Sequence, residues 1–150
     1  MRRVFVVLAG LLFLAILVQF YFAAVGAFDR PQDDDSFALH SVTGMMIIPL
    51  LSILTAVAAA LARAPGRLIG MSLAPLGLVV VQVLIIVVGN VITGGSDEDT
   101  GPAGLFVLGL HAVNALFVMG AAGAVLRRAR AFAAEKSTVD TPQPTVSPAA

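Results

Sequence analysis

The sequence has no cysteine, no tryptophan and few charged residues. Without cysteine, the chain has no disulfide, no thiolate metal ligand and no cysteine nucleophile. Only 12% of its 150 residues are charged, whereas a soluble domain carries about 25%. Hydrophobic residues make up 59% of the chain, and its mean hydropathy is +0.98. The composition therefore predicts a lipid bilayer as the main solvent, and we expect no nucleic-acid partner.

Four apolar segments are each long enough to cross a bilayer, which takes about 20 apolar residues in a helix. They predict an all-α, polytopic membrane four-helix bundle within residues 1–134, with helices near 4–28, 37–62, 68–92 and 103–126. Ser36 is expected to cap the second helix and Pro49 to kink it. Residues 135–150 are rich in Pro, Ser and Thr, so we predict a disordered cytoplasmic tail.

The first apolar segment also has the outline of a signal peptide. It follows Met1-Arg2-Arg3 and ends near the small residues Val25-Gly26-Ala27. Its apolar run is longer than the roughly 7–15 residues of a signal-peptide core, so we expect it to be retained as the first membrane helix.

The basic residues lie almost entirely on one side of the predicted bundle. Arg30 is the exception, and the others are Arg2, Arg3, Arg63, Arg67, Arg127, Arg128, Arg130 and Lys136. The positive-inside rule places this side, and both termini, in the cytoplasm, with the two acidic loops facing outward. The excess of Arg over Lys, together with the many Ala, Gly and Val residues, indicates a bacterial cytoplasmic membrane protein.

A polar pattern occurs twice in the chain. Gln19 is followed by Val25-Gly26, an acidic loop and Leu39-His40-Ser41-Val42. Gln82 is followed by Val88-Gly89, an acidic loop and Leu110-His111-Ala112-Val113. Polar residues are rare in this chain, so their repetition is more informative than that of apolar residues. The pattern predicts two parallel-repeat helical hairpins related by an axis along the membrane normal, with the histidine helices diagonal to each other.

The two histidines of the chain each lie within an apolar segment. A histidine there normally faces the bundle interior. At the i+3 and i+4 positions, which share its face, His40 has Thr43 and Gly44. The corresponding residues after His111 are Asn114 and Ala115.

Two imidazoles that face each other across a helical bundle can ligate one haem iron axially. His40 and His111 are therefore candidate ligands of haem b. Gly44 and Ala115 leave room for a flat ring and are candidate porphyrin contacts. Arg30, the outward basic residue, is the candidate partner of a propionate.

This plan resembles haem A synthases and related membrane b-type cytochromes, which carry axial histidines on the second and fourth helices of a four-helix bundle. His40 and His111 are similar in helix number and side, and His40-x-x-x-Gly44 resembles the region after such a ligand. The resemblance implies haem ligation but no synthase activity. The single four-helix bundle is half of such an enzyme. The second helix has no arginine after His40, and the first helix has Gln19 where an acidic residue would suit oxidative chemistry. It also resembles small four-helix membrane proteins of actinobacteria with no known activity.

The depth of the two histidines argues against a shared iron. His40 lies twenty-three residues before Arg63, whereas His111 lies sixteen before Arg127. At about 1.5 Å per helical residue, this predicts a difference in depth of roughly 10 Å.

The sequence favours a structural or accessory membrane subunit that binds other membrane proteins or a second copy of itself. In that role the intramembrane polar residues only hydrogen-bond between helices, at about 0.6 kcal/mol each; they are Gln19, Gln82, His40, His111, Thr43 and Asn114. Haem-binding electron transfer and transport of a small solute or proton are the alternatives. Zinc bound by the histidines with Asp33–Asp35 is a weaker one. No catalytic motif is present, so we predict no catalytic residue.

Overall fold

The computed structural model describes residues 1–33, 35–94 and 101–139, and every regular element within these ranges is helical. Helix α1 is Arg2–Phe28, α2 is Ala38–Leu61, α3 consists of Gly66–Ser72 and Ala74–Thr93, and α4 is Pro102–Val139. Each is long and apolar enough to cross a membrane. Many of their large apolar side chains are exposed, which suits contact with lipid. These helices confirm the predicted all-α membrane helical bundle.

The helices pack as a ring in which neighbours along the chain are also neighbours in space. Helix α1 packs against α2 and α4, and α3 packs against the same two helices. The histidine-bearing helices α2 and α4 therefore lie diagonally across the bundle. We call the end that holds Arg2, Arg63 and Arg127 the basic end. The opposite end, which holds residues 29–33 and 35–37 of the loop between α1 and α2, is the acidic end.

The turn between α2 and α3 is closed by a Schellman motif. The N–H of Ala64 bonds to the carbonyl of Ala59 at 3.0 Å, and the N–H of Arg63 bonds to that of Ala60 at 2.9 Å. Arg63 has a φ of 56°, the left-handed conformation that this motif requires and that glycine usually supplies. Pro65 then precedes the first residue of α3 and prevents α2 from continuing.

Helix α2 contains a π-helical turn at Thr43–Ile47, where the N–H of Ile48 bonds to the carbonyl of Thr43. The cause lies in Pro49, which has no N–H to donate to the carbonyl of Met45 one turn earlier. A wider turn accommodates both the missing donor and the proline ring. The structure thus places the irregularity in the turn before Pro49.

The core occupies the basic end and the middle of the bundle. Helix α1 buries Phe5, Ala9, Leu12 and Ile16, whose spacing places them on one face. Two apolar clusters form around them. The first comprises Phe5, Ala9, Ala58, Ala59, Ala64, Leu68, Val125, Ala129 and Phe132. The second comprises Leu12, Ile16, Ile48, Val118 and Ala122. Small residues allow the backbones to approach closely at this end.

Helix α4 continues past the end predicted at residue 126 and reaches Val139. The basic residues after 126 do not stop it, because Ala129 and Phe132 extend its buried face beyond Val125. The guanidinium of Arg2 lies 3.9 Å above the centre of the Phe132 ring, and its Nη1 donates to the carbonyl of Phe132 at 2.6 Å. The extension therefore joins the start of α1 to α4.

Several expectations fall on residues that lie outside the described ranges. These are Asp34, the acidic residues within 95–100, and positions 140–150 of the predicted tail. Positions 135–139, which the tail prediction also covered, are the last residues of α4.

Phe132→Ala should lower the free energy of unfolding by about 3 kcal/mol, because it leaves a cavity between α1 and α4 and removes the ring beneath Arg2. Phe28→Ala is the matched control, since the Phe28 side chain is 81% exposed and that of Phe132 only 8%. Unfolding in detergent micelles, followed by circular dichroism, measures both variants. Equal destabilisation would contradict the packed extension.

Candidate functional site

The acidic half of the bundle contains a partly open cavity of about 620 Å³, lined mostly by apolar side chains from all four helices. Ligand sites in proteins typically measure about 300–1,000 Å³. The cavity begins where the apolar core ends, and Ile16 and Val118 line its floor. Six of the residues singled out from the sequence contribute to its wall: Gln19, His40, Gly44, Gln82, His111 and Ala115. The structure therefore brings these six together.

The remaining three candidates lie elsewhere. Thr43 and Asn114 are buried beside the cavity and do not line it. Arg30 is exposed at the end of α1, where its Nη1 donates to the carbonyls of Ala27 at 3.1 Å and Asp29 at 2.6 Å. The proposed propionate partner is thus outside the cavity wall.

The imidazoles of His40 and His111 face each other across the cavity. Their ring centroids are 6.3 Å apart, with an angle of 52° between the planes. The depth mismatch expected from residue counts was wrong, because Arg127 lies within α4 and does not mark its end. The two rings therefore differ in depth by no more than the 6.3 Å between their centroids.

Gln19 holds the first imidazole through two contacts. Its Nε2 donates to the backbone carbonyl of His40 at 2.9 Å and also lies 3.3 Å from His40 Nε2. The Nδ1 of His40 lies 3.3 Å from the backbone carbonyl of Gln19. A Cβ at Gly44 would lie 2.6 Å from Gln19 Nε2, so a glycine there leaves room for the amide.

Gln82 makes a similar contact in the second half of the chain. Its Nε2 donates to the backbone carbonyl of His111 at 2.7 Å. Asn114 adds a further side chain to this contact. Its Nδ2 donates to Gln82 Oε1 and, at 2.9 Å, to the backbone carbonyl of Leu78. Helix α3 is thus tied to α4 by side-chain amides.

Two buried polar atoms of the cavity wall have no hydrogen-bond partner among the described residues. They are Gln19 Oε1 and His111 Nδ1. A buried polar atom without a partner costs roughly 1–3 kcal/mol and calls for an explanation such as a ligand.

The two imidazoles fit the demands of a haem iron. With a metal–nitrogen distance of about 2 Å on each side, two trans imidazoles have centroids about 6 Å apart, close to the observed 6.3 Å. Both ring nitrogens of His40 contact Gln19 in this structure, so a metal held by Nε2 would replace its contact with Gln19 Nε2. The apolar wall suits a macrocycle, so His40 and His111 could hold one.

The zinc alternative finds no support in the described part of the chain, where no group of three metal-ligating side chains occurs. Asp33 is instead used within its own loop. Its Oδ1 accepts from the N–H of Asp35 at 3.0 Å and from the hydroxyl of Ser36 at 3.3 Å.

Sequence reasoning missed two features of the acidic end. The Phe37 ring lies edge-on to the His40 ring, with centroids 6.2 Å apart. Phe37 lies three residues before His40 in the sequence, and this spacing could have indicated the contact. Glycines also allow close helix contacts there. A Cβ at Gly26 would lie 2.6 Å from the Phe37 ring, and one at Gly89 would overlap Val107.

Gly89→Ala should destabilise the protein by about 1–3 kcal/mol, because the added methyl forces α3 away from Val107 on α4. Gly77→Ala, on the same helix, is the control: nothing lies within 4 Å of a Cβ there. It should add about 0.5–1 kcal/mol of stability, the ordinary gain for alanine over glycine in a helix. Chemical denaturation of both variants in micelles tests this, and a gain from both would refute the close contact.

Residues 19–89 match the model of a family of unknown function, DUF6220. The match begins at Gln19, includes His40 and ends at Gly89, so it excludes α4 and His111. No curated protein and no solved structure matches the chain. Over these residues the chain is similar to a family of unknown function, and together with its four apolar helices this fits a membrane protein.

Proposed function

We propose that this membrane protein binds haem b between His40 and His111 and serves in electron transfer. The observation that carries the proposal is the imidazole pair, 6.3 Å apart across an apolar cavity of about 620 Å³. Two histidines beside an apolar space are a donor set that suits a haem iron.

A purely structural role accounts for fewer of these contacts. In that role the polar residues serve to join helices, and Gln19, Gln82 and Asn114 do so. The two glutamines, however, bond to the backbone carbonyls of the histidines. The His40 ring also contacts Gln19 through both of its nitrogens, so a packing role accounts for that imidazole. It leaves the His111 ring, whose Nδ1 has no partner among the described residues, unexplained. An accessory subunit without a cofactor remains the competing proposal.

The resemblance to haem A synthases and b-type cytochromes supports the same function. It concerns the placement of histidines on the second and fourth helices, which here are diagonal and direct both rings inward. The family match adds no activity to this argument, since that family has none assigned.

We also propose that the two hairpins are an internal repeat. Equivalent contacts support it, because Gln19 and Gln82 each donate to the backbone carbonyl of a histidine on the following helix. Gly26 contacts the side chain of Phe37, directly before α2, and Gly89 contacts that of Val107 on α4. A twofold arrangement of this kind would supply one axial ligand from each half.

Bound haem would supply one-electron chemistry, and the residues of the chain would determine its environment. His40 and His111 would fix its position, and the apolar wall would contact its ring. The packed core below would separate it from the basic end.

Haem loading of the purified protein should give the low-spin spectrum of a bis-histidine b-type cytochrome. The double substitution His40→Ala with His111→Ala should abolish that spectrum. Asn114→Ala is the control, because it removes two interhelical hydrogen bonds and leaves both imidazoles in place. It should keep the low-spin spectrum with reduced thermal stability. A wild-type protein that stays colourless with excess haem would support the structural role.

We further propose that the protein lies in a bacterial cytoplasmic membrane with its basic end in the cytoplasm. The support is the distribution of arginines, since a single basic residue, Arg30, belongs to the acidic end. This orientation would place the haem near the outer surface.

An impermeant thiol reagent added outside intact cells should modify cysteines introduced at Asp34 or Asp97. Cysteines at Gly66 or Ser137 should react only after the cells are opened. The absence of native cysteine makes each variant a single-site reporter. Labelling of Gly66→Cys in intact cells would reverse the orientation.

A further inference from the structure

The two halves of the cavity hold their imidazoles differently, and the difference begins at one position. His40 is followed at i+3 by Thr43, whereas His111 is followed by Asn114. Asn114 donates to Gln82 Oε1, so the Gln82 amide has partners at both its nitrogen and its oxygen. In the first half, Gln19 Oε1 is buried and has no partner among the described residues. The Gln82 amide is therefore fully used by helix contacts, whereas the Gln19 amide stays close to the His40 ring.

The surroundings of His40 favour one tautomer. A proton on Nδ1 can be donated to the backbone carbonyl of Gln19, 3.3 Å away, which leaves the lone pair on Nε2. Histidine ligands of metals usually donate their second ring N–H to such an acceptor, which fixes the ring and raises its basicity. Gln19 Nε2 can release its contact with His40 Nε2, because it also donates to the His40 carbonyl at 2.9 Å.

His111 has no equivalent support. Its Nδ1 is buried and has no acceptor among the described residues. Gln82 donates to the backbone carbonyl of His111. With Nε2 as a ligand, Nδ1 would carry a buried proton that nothing accepts, and this costs free energy. With the opposite tautomer, the lone pair would lie on Nδ1, which is buried, and Nε2 would have none to offer. Either state makes His111 the weaker ligand.

From this asymmetry, and resting on the proposed haem function, we propose that His40 is the permanent axial ligand and His111 an exchangeable one. The exchangeable position would take a neutral diatomic such as carbon monoxide. Val83, Val87 and Leu108 line the same cavity as His111 and offer an apolar environment for such a molecule. Such a molecule would take the place of the neutral His111 imidazole, while His40 would keep the haem in the cavity, and the exchange would involve no transfer of electrons.

The first test compares His40→Ala with His111→Ala, each loaded with haem b in detergent and checked for fold by circular dichroism. His111→Ala should keep haem in a five-coordinate, high-spin form. His40→Ala should bind haem at least ten-fold more weakly than His111→Ala, since loss of support around a metal ligand typically costs about 10–100-fold in affinity. Haem-to-protein ratio, Soret spectrum and electron paramagnetic resonance provide the readouts. Equal loss of haem, or the reverse order, overturns the assignment.

The second test uses the unsubstituted protein, so it still tests whether His111 is exchangeable if either substitution prevents folding. Wild-type protein is loaded with haem, reduced with dithionite and titrated with carbon monoxide. Formation of a carbonyl complex while haem stays bound supports an exchangeable ligand. A low-spin spectrum that does not change in solution saturated with carbon monoxide refutes it. Wild-type protein that takes up no haem overturns the proposed function as well, and this outcome is distinct from low-spin haem that resists exchange.

Discussion

Hydrogen bonds that join polar side chains to helix carbonyls determine how this bundle is arranged. Hydrocarbon offers no partner to an amide, and an unsatisfied polar group there costs several kcal/mol. Gln19 and Gln82 each reach the carbonyl of a histidine on the next helix. Each bond fixes the register of one hairpin, and the two registers together set the depth of the rings. The distance between His40 and His111 therefore follows from where the glutamines lie.

The bundle combines a packed half with a hollow half. At the basic end, alanines such as Ala59 and Ala129 are fully buried and let the helices approach closely. At the acidic end, glycines at positions 26 and 89 allow close contact at the rim, and the interior between them stays open. The packed half holds one end of each helix in place, and the bonds of Gln19 and Gln82 fix the helices at the level of the cavity. Such a division suits a binding site, which needs space on a rigid support.

Much of the fold and part of the site were predictable from the sequence. Four apolar runs gave the four helices, because length and hydrophobicity suffice to identify membrane spans. His40 and His111 were identified because ionisable residues are rare in apolar segments. The end of α4 was not predictable from charge, since Phe132 and Arg2 make a contact that depends on another helix. The relative depth of the rings was missed for the same reason.

Side-chain direction was predicted less well than helix position. Gly44 lines the cavity as its i+4 spacing from His40 implies, whereas Thr43 is buried beside it. Asn114 was expected on the histidine face, yet it turns to Leu78 and Gln82 on α3. Regular helical spacing predicts faces only where the helix is regular, and Thr43 lies at the start of a π turn. Contacts between helices decide the rest.

The π turn of Thr43–Ile47 limits the insertions and deletions that this segment of α2 can tolerate. A π turn contains an extra residue, and each residue of an α-helix advances the chain by about 100° around its axis. A relative lacking one residue here would have a regular helix, and its histidine would point toward lipid or a neighbouring helix. The loops at the acidic end can lengthen or shorten without this effect. The spacing between His40 and Pro49 is therefore the part of the chain in which insertions and deletions should be rarest.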